Sequence, residues 1–470
     1  MTGTVEIPIW MILALAALAA IALVDRIFAP SVRWFFRRRL NNAIDELNQR
    51  LDLRIQPFKL TRRQTLIDQL LYDRKVIEAV EAEAKASGVP RAVLMRKAER
   101  YAREIVPSFS VATYFGFGIR AARWLSNLLY RVTLGFADDA ALRAIDPHAS
   151  VVFVMNHRSN MDYVLVTYMA SSRASLSYAV GEWARIWILE NLIRSMGAYF
   201  IRRNSGDALY RRVLGRYVHM ATHQGVTQAI FPEGGLSRDG KLRDPKLGLL
   251  GYVVSEFDAA DDRDIVFVPV GLNYDRVLED RILTAHRERE VSGRDFRVRI
   301  RAVLGFLANL FWRRLTGRLY RFGYACVSFG EPLSLAQWQR ERQIQFRELP
   351  QEARFIAVEK LAGTLMQRIG AVVPALPVAM LSRLLLEAGD EWVAEPAMRQ
   401  RALDLTQKLE SRGAHVHLPR ADRDYAFTTG LRMLALRNLV QQGEDGQLRA
   451  NPAEKTLLAY YANSIAHLLH

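Results

Sequence analysis

Two polar clusters, each directly behind a short apolar run, constrain the fold of this chain more than any other feature. Asn156-His157-Arg158-Ser159-Asn160-Met161-Asp162 follows Val151–Met155, and Pro232-Glu233-Gly234-Gly235 follows Thr227–Phe231. Apolar runs this short, bounded by turn-forming residues, read as strands buried on both faces. Polar side chains crowded at the ends of such strands are what an open α/β sheet presents at its ligand-binding edge. Further strand candidates are Leu176–Ala179, Ala198–Ile201, Ile265–Val270 and Tyr324–Phe329. Helix candidates Asp162–Ala170, Arg185–Ser195, Ala208–Thr222 and Pro245–Phe257 fall between them. The alternation predicts an α/β domain with a mostly parallel sheet and flanking helices.

That domain is expected over residues 141–340, between a helical N-terminal region (31–140) and a helical C-terminal region (341–470). Within the first, Asp73–Ala102 reads as a helix pair broken at Gly88-Val89-Pro90, a solvated hairpin in support of something else. Within the last, Pro374 and Pro377 mark a break.

Residues 1–30 are expected to be a transmembrane anchor. Ile7 to Val24 carries no charge and is just long enough to span a bilayer. Glu6 is the only charge before it, whereas Arg26, Arg33, Arg37, Arg38 and Arg39 crowd the far side. A secretory signal peptide carries its positive charge ahead of the apolar core, which excludes that reading. The positive-inside rule then places the remainder at the cytoplasmic face of the cell membrane, on a single-pass N-terminal anchor.

The net charge of +16, from 65 Lys+Arg against 49 Asp+Glu, suits anionic membrane lipid and acidic small molecules. Beside such an anchor, nucleic acid is not the expected partner. Residues 114–136 interleave Tyr114, Phe115, Phe117, Trp124, Leu128, Leu129 and Tyr130 with Arg120, Arg123 and Arg131. The pattern fits a membrane surface or, equally, a core-facing helix. A second lipid-facing candidate is Ala302–Trp312. The single cysteine, Cys326, excludes an intramolecular disulfide and a cysteine-based zinc site, and reads as a buried thiol.

His157 and Asp162 are the candidate catalytic pair. On a regular helix, positions five apart lie about 140° out of phase and do not meet. They meet if His157 sits in the turn leaving the strand and Asp162 in the first helical turn. Ser159 suits the N-cap, with Asp162 at the capping-box position. A carboxylate bonded to one imidazole nitrogen fixes the tautomer and frees the other nitrogen to take a proton. Arg202 and Arg203 close the strand Ala198–Ile201, where guanidinium groups bind phosphate bidentately. Glu233 is placed to accept a bond from a substrate hydroxyl, Gly234 to open backbone N–H groups to an anion, and Ser237, Arg238 and Lys246 to add donors. Pro269 is expected to shape the site wall. A metal held by His157, Asp162 and Glu233 for phosphoester hydrolysis is the rival reading; no second histidine lies at ligand spacing, and no metal is expected. A non-catalytic membrane-binding protein is the other.

These segments resemble the four sequence blocks of the glycerolipid acyltransferases. The likeness is greatest to the bacterial sn-glycerol-3-phosphate 1-O-acyltransferases and their dihydroxyacetone-phosphate relatives. His157 to Tyr163 fits the first block, and Gly197 with Ile201-Arg202-Arg203 the second. Glu233-Gly234-Gly235, Ser237-Arg238 and Asp244-Pro245-Lys246 fit the third, and Pro269 the fourth. The likeness extends to Phe329-Gly330-Glu331-Pro332, to the helices around 73–105 and to Tyr460-Tyr461-x-Asn463-x-Ile465-Ala466-His467. The resemblance implies His157 as general base, Asp162 as its partner, and Arg202, Arg203, Glu233, Gly234, Ser237 and Arg238 around a glycerol-phosphate site. It implies an acyl-CoA or acyl carrier protein donor and no cofactor. Leu236 stands where the family usually has arginine, and Asn156 precedes the histidine as in lysophosphatidate acyltransferases. The chain is also much shorter at its N-terminus than the bacterial enzyme. Glycerol 3-phosphate, dihydroxyacetone phosphate and lysophosphatidate therefore all stand as acceptors.

Overall fold

A computed structural model describes residues 55–170, 175–181, 187–202, 205–285 and 322–469. The expected anchor, the lipid-facing candidate 302–312 and Arg203 lie outside them. Among the described residues, no helix is long and apolar enough to cross a membrane.

The helices used below are α1 (Arg63–Leu71), α2 (Arg74–Ser87), α3 (Arg91–Ile105), α4 (Ile119–Leu129), α5 (Met161–Met169), α6 (Ala208–His223), α7 (Leu247–Val254), α8 (Gln351–Val372), α9 (Pro377–Glu387) and α10 (Lys455–Ala462). The main sheet holds β1 (Arg131–Ala137), β2 (Ser150–Met155), β3 (Ser177–Gly181), β4 (Tyr199–Ile201), β5 (Gln228–Ile230), β6 (Ile265–Tyr274), β7 (Tyr324–Phe329) and β8 (Leu333–Ser334). Its order is β1-β7-β6-β2-β5-β3-β4, with β8 on β6. The strands from β6 through β4 are parallel, β7 and β8 run against β6, and β1 runs with β7. Every residue of β2, β6 and β7 is buried, so the sheet is covered on both faces, as the uninterrupted apolar runs require.

β2 is flanked by β5 on one side and β6 on the other, Val152 pairing with both Gln228 and Phe267. The parallel strands deliver the carboxyl ends of β2 and β5 to one edge of the sheet, where both polar clusters follow. This is the switch-point position at which open α/β sheets bind ligands.

The α2–α3 hairpin turns through Gly88, whose φ of 70° is the left-handed conformation that glycine adopts at least cost. It is more than a solvated support. Val76, Val80, Leu94, Ala98 and Ala102 are buried and share a core with α6 and α7. Residues 114–136 divide in two: a π-helical turn running into α4, then the edge strand β1. Tyr114, Leu128, Leu129 and Tyr130 face the interior, while Phe117 and Trp124 stay exposed. Cys326, on β7, is buried, and burial pushes its thiol up to about 12.

Candidate active site

The turn between β2 and α5 is held from three sides. His157 and Asp162 are 1% and 0% exposed, with Nδ1 and Oδ2 at 2.9 Å. The same Oδ2 accepts the backbone N–H groups of Arg158 at 2.7 Å and Ser159 at 3.0 Å. Asp162 is therefore both the imidazole's partner and the turn's cap, so the two sequence readings describe one arrangement. The helix itself starts from Asn160, one residue later than expected, with Ser159 Oγ accepting from Met161 N. The Phe231 ring stacks on the imidazole at 4.1 Å, and Tyr163 meets it edge-on. His157 Nε2 is buried and has no hydrogen-bond partner among the described residues. Such an orphan costs about 1–3 kcal/mol, so its persistence points to a ligand that supplies the missing bond.

The second cluster clasps the first by its backbone. Glu233 Oε1 accepts the His157 N–H at 2.9 Å, and Ser237 N–H donates to the His157 carbonyl at 3.0 Å. Glu233 Oε2 takes the Arg243 N–H at 3.2 Å, and burial pushes this carboxyl up to about 7. Ser237 Oγ donates to the Lys241 carbonyl and accepts from Gly240 N–H. Both side chains were expected at the substrate; in the structure the Glu233 carboxylate holds the His157 backbone, and the Ser237 hydroxyl closes its own loop.

The loop is backed by the C-terminal segment. Gly240, at φ 87°, passes so close to Tyr460 that a Cβ there would lie 1.8 Å from its carbonyl oxygen. Asn463 Nδ2 donates to the Asp239 carbonyl, and the Arg158 guanidinium lies over the Tyr460 ring, bonded to the Gly240 carbonyl.

A cavity of 790 Å³ opens beside this turn. Phe231 and Glu233, which touch His157, form part of its wall; His157 itself does not. Of the expected ligand contacts, Arg202, Gly234, Arg238 and Lys246 line it. Arg202, however, is spent on a bidentate pair with Glu104, at 2.9 and 2.6 Å, and sits over the Tyr101 and Tyr210 rings. Arg211 and Arg243, overlooked in the sequence, also line the cavity. Arg243 Nη1 lies 3.3 Å from the Leu236 carbonyl, placing a guanidinium beside the residue that departs from the family pattern. The lining also includes the apolar Leu214, Ile230, Leu247 and Leu250.

One further expectation needs correction. Pro269 does not line the cavity: it sits in β6 opposite Val154, where the neighbour of β6 changes from β8 to β7, a position that tolerates a missing N–H. Asn156 does not reach the cavity either. Its amide exchanges two bonds with the Leu272 backbone, at 2.9 and 2.8 Å, pinning β2 to β6. Gly197 serves packing, since a Cβ there would meet Lys59 and Phe109 at 3.0 and 3.1 Å.

Two contributors gave no sequence signal. Tyr274 Oη donates to Asp162 Oδ1 at 2.6 Å. Glu279 accepts from Ser159 Oγ at 2.7 Å and from Asn160 N–H at 3.2 Å.

Residues 140–273 match a family described as Acyltransferase, and residues 309–470 match one described as Glycerol-3-phosphate acyltransferase C-terminal region. Curated relatives carry the name glycerol-3-phosphate acyltransferase. The protein of Aeromonas hydrophila is 30% identical over 425 residues, covering 87% of this chain and 50% of that protein. Those of Pseudomonas putida and Shewanella oneidensis are 28% and 29% identical, each across 87% of this chain. The chain spans about half the length of the curated relatives it matches. A solved structure, the 1-acyl-sn-glycerophosphate (LPA) acyltransferase PlsC of Thermotoga maritima, aligns at 17% identity over 66% of this chain and 98% of that one, with a TM-score of 0.29. By both family matches and by its named relatives, the chain is similar to glycerol-3-phosphate acyltransferases over residues 140–273 and 309–470.

Proposed function

We propose that the chain transfers a fatty acyl group from acyl-CoA or acyl carrier protein to the sn-1 hydroxyl of glycerol 3-phosphate, at the cytoplasmic face of the membrane. The observation that carries this reading is a buried imidazole held by Asp162 through Nδ1, with Nε2 free, beside a cavity rimmed with cations. The relatives' name supplies the acceptor.

His157 Nε2 takes the proton from the acceptor hydroxyl as its oxygen attacks the thioester carbonyl. The negative Asp162 stabilises the resulting imidazolium. When the C–S bond breaks, the imidazolium returns the same proton to the departing sulfur. Atoms and charge balance within one cycle, so the scheme calls on no cofactor. Arg238, Arg243 and Lys246 draw the phosphate to the polar side of the cavity, because low-dielectric walls focus their field. The leucine wall receives the acyl chain.

The test offers labelled acyl-CoA with glycerol 3-phosphate, dihydroxyacetone phosphate or lysophosphatidate to the full chain in detergent. The expected product is 1-acylglycerol 3-phosphate, lost in His157→Gln. Arg243→Leu raises KM for glycerol 3-phosphate about 10- to 100-fold, the worth of one charged hydrogen bond, and leaves KM for the donor alone. Preferential acylation of either other acceptor, or turnover that survives His157→Gln, would replace this reading.

A further inference from the structure

We propose that Tyr274 is a positioning residue that sets the proton affinity of the His157–Asp162 pair, an inference that rests on the acyl-transfer reading only for its kinetic consequence. The Tyr274 hydroxyl lies 2.6 Å from Asp162 Oδ1, and both side chains are 0% exposed. The two carboxylate oxygens thereby divide their work. Oδ2 faces the turn, taking bonds from His157 Nδ1, Arg158 N and Ser159 N; Oδ1 faces the last residue of β6. The Tyr274 ring is fixed by the Tyr130 ring, 5.3 Å away, so the hydroxyl is held by packing rather than by a rotatable surface group.

A phenol that donates to a carboxylate stabilises its charge and spreads it, which lowers the attraction of the pair for a proton. The donated proton stays on Tyr274, because burial and the neighbouring Asp162 push the phenol well above its usual value. Removing the donor leaves Oδ1 desolvated and without a partner. Whichever of the two groups then holds the extra proton, the pair binds it more tightly. The sign is therefore fixed: the pair loses its proton at a higher pH without Tyr274.

Other groups press on the same pair and remain constant in the comparison. Arg158 follows the histidine, Tyr163 meets the ring from α5, and Glu233 holds the backbone from the β5 loop. Glu279 lies beyond β6, Tyr130 precedes β1, and Tyr460 reaches the pair's field from α10.

The test is Tyr274→Phe in the full chain, with histidine side chains labelled with ¹⁵N and the His157 resonance assigned through His157→Gln. The expected result is an apparent His157 pKa raised by about half a unit or more, without change in the dispersion of the other histidine signals. In the acyl-transfer assay, kcat falls about tenfold at neutral pH, its acid limb moves upward by the same interval, and KM for both substrates stays within twofold. An unmoved imidazole titration overturns the proposal, even if kcat falls, since packing damage alone does not shift it. A raised titration in a chain that transfers no acyl group upholds the proposal and overturns the functional reading alone.

Discussion

Asp162→Asn removes the charge behind His157 while leaving a side chain of the same shape, and the structure dictates how that amide must sit. Three donors face Oδ2: His157 Nδ1–H, Arg158 N–H and Ser159 N–H. An amide turned to place its nitrogen there would forfeit all three bonds, about 1 kcal/mol each. On the other side stands one hydroxyl, Tyr274, which can accept as readily as it donates. The amide therefore keeps its oxygen on the turn and its nitrogen on Tyr274, and the imidazole keeps the Nδ1–H tautomer. What disappears is the interaction of a negative charge with the imidazolium formed during transfer, ~4 kcal/mol at an effective dielectric constant near 20. That figure is an upper bound of about three decades in rate. The expected outcome is a kcat lowered 10²- to 10³-fold with KM for both substrates within threefold, measured by release of free thiol from acyl-CoA. A variant within fivefold of wild type would refute the charge argument. A variant as inactive as His157→Gln would refute the orientation argument, since only a flipped amide and the wrong tautomer cost that much.

Gly240→Ala should destabilise the fold by ~2–4 kcal/mol in urea unfolding, because the added methyl meets the Tyr460 backbone in a left-handed conformation. Gly363→Ala, on the open side of α8, should be neutral or slightly stabilising, since nothing lies within 4 Å. For Glu233 the sign follows from a folded value of about 7 raised from 4.5 by burial. Its contribution is intact below the unfolded value and is lost as pH rises through about 7, about 3 kcal/mol in all. Glu233→Gln should remove that pH-dependent loss, so wild-type and variant stabilities that run parallel from pH 5 to pH 8.5 would contradict it.

The sheet was legible because both faces of its central strands are buried. Val151–Met155 and Tyr324–Phe329 are apolar without alternation, and each appears as a strand with ends within one residue of the expected ones. β6 runs on to Tyr274, four residues past its expected end, and the sequence hides the reason: Asn156 and Asn273 supply side-chain bonds that carry a polar stretch through the core. β1 escaped notice for the opposite cause. It is an edge strand with a mostly exposed pattern and only β7 beside it, so its residues alternate too weakly to betray it.

At the site, the residues that act within one turn were readable and those that act across the fold were not. His157 and Asp162 are five positions apart, and strand-then-helix geometry alone brings them together. Tyr274 is 112 positions from Asp162, and Glu279 is 120 from Ser159, so no local spacing announces them. The misreading of Glu233 has a different physical source. A carboxylate beside glycines suggests an open anion or hydroxyl site, yet a strand end buried on both faces leaves backbone groups that need partners of their own. His157 N–H and carbonyl are such groups, and they take Glu233 and the Ser237 N–H before any ligand arrives. An imidazole in a turn has no ladder to fix it; the second motif is what replaces the ladder. Substitutions in Glu233 should therefore act on the placement of His157, and those in Arg243 on the capture of the acceptor, although both residues belong to one loop.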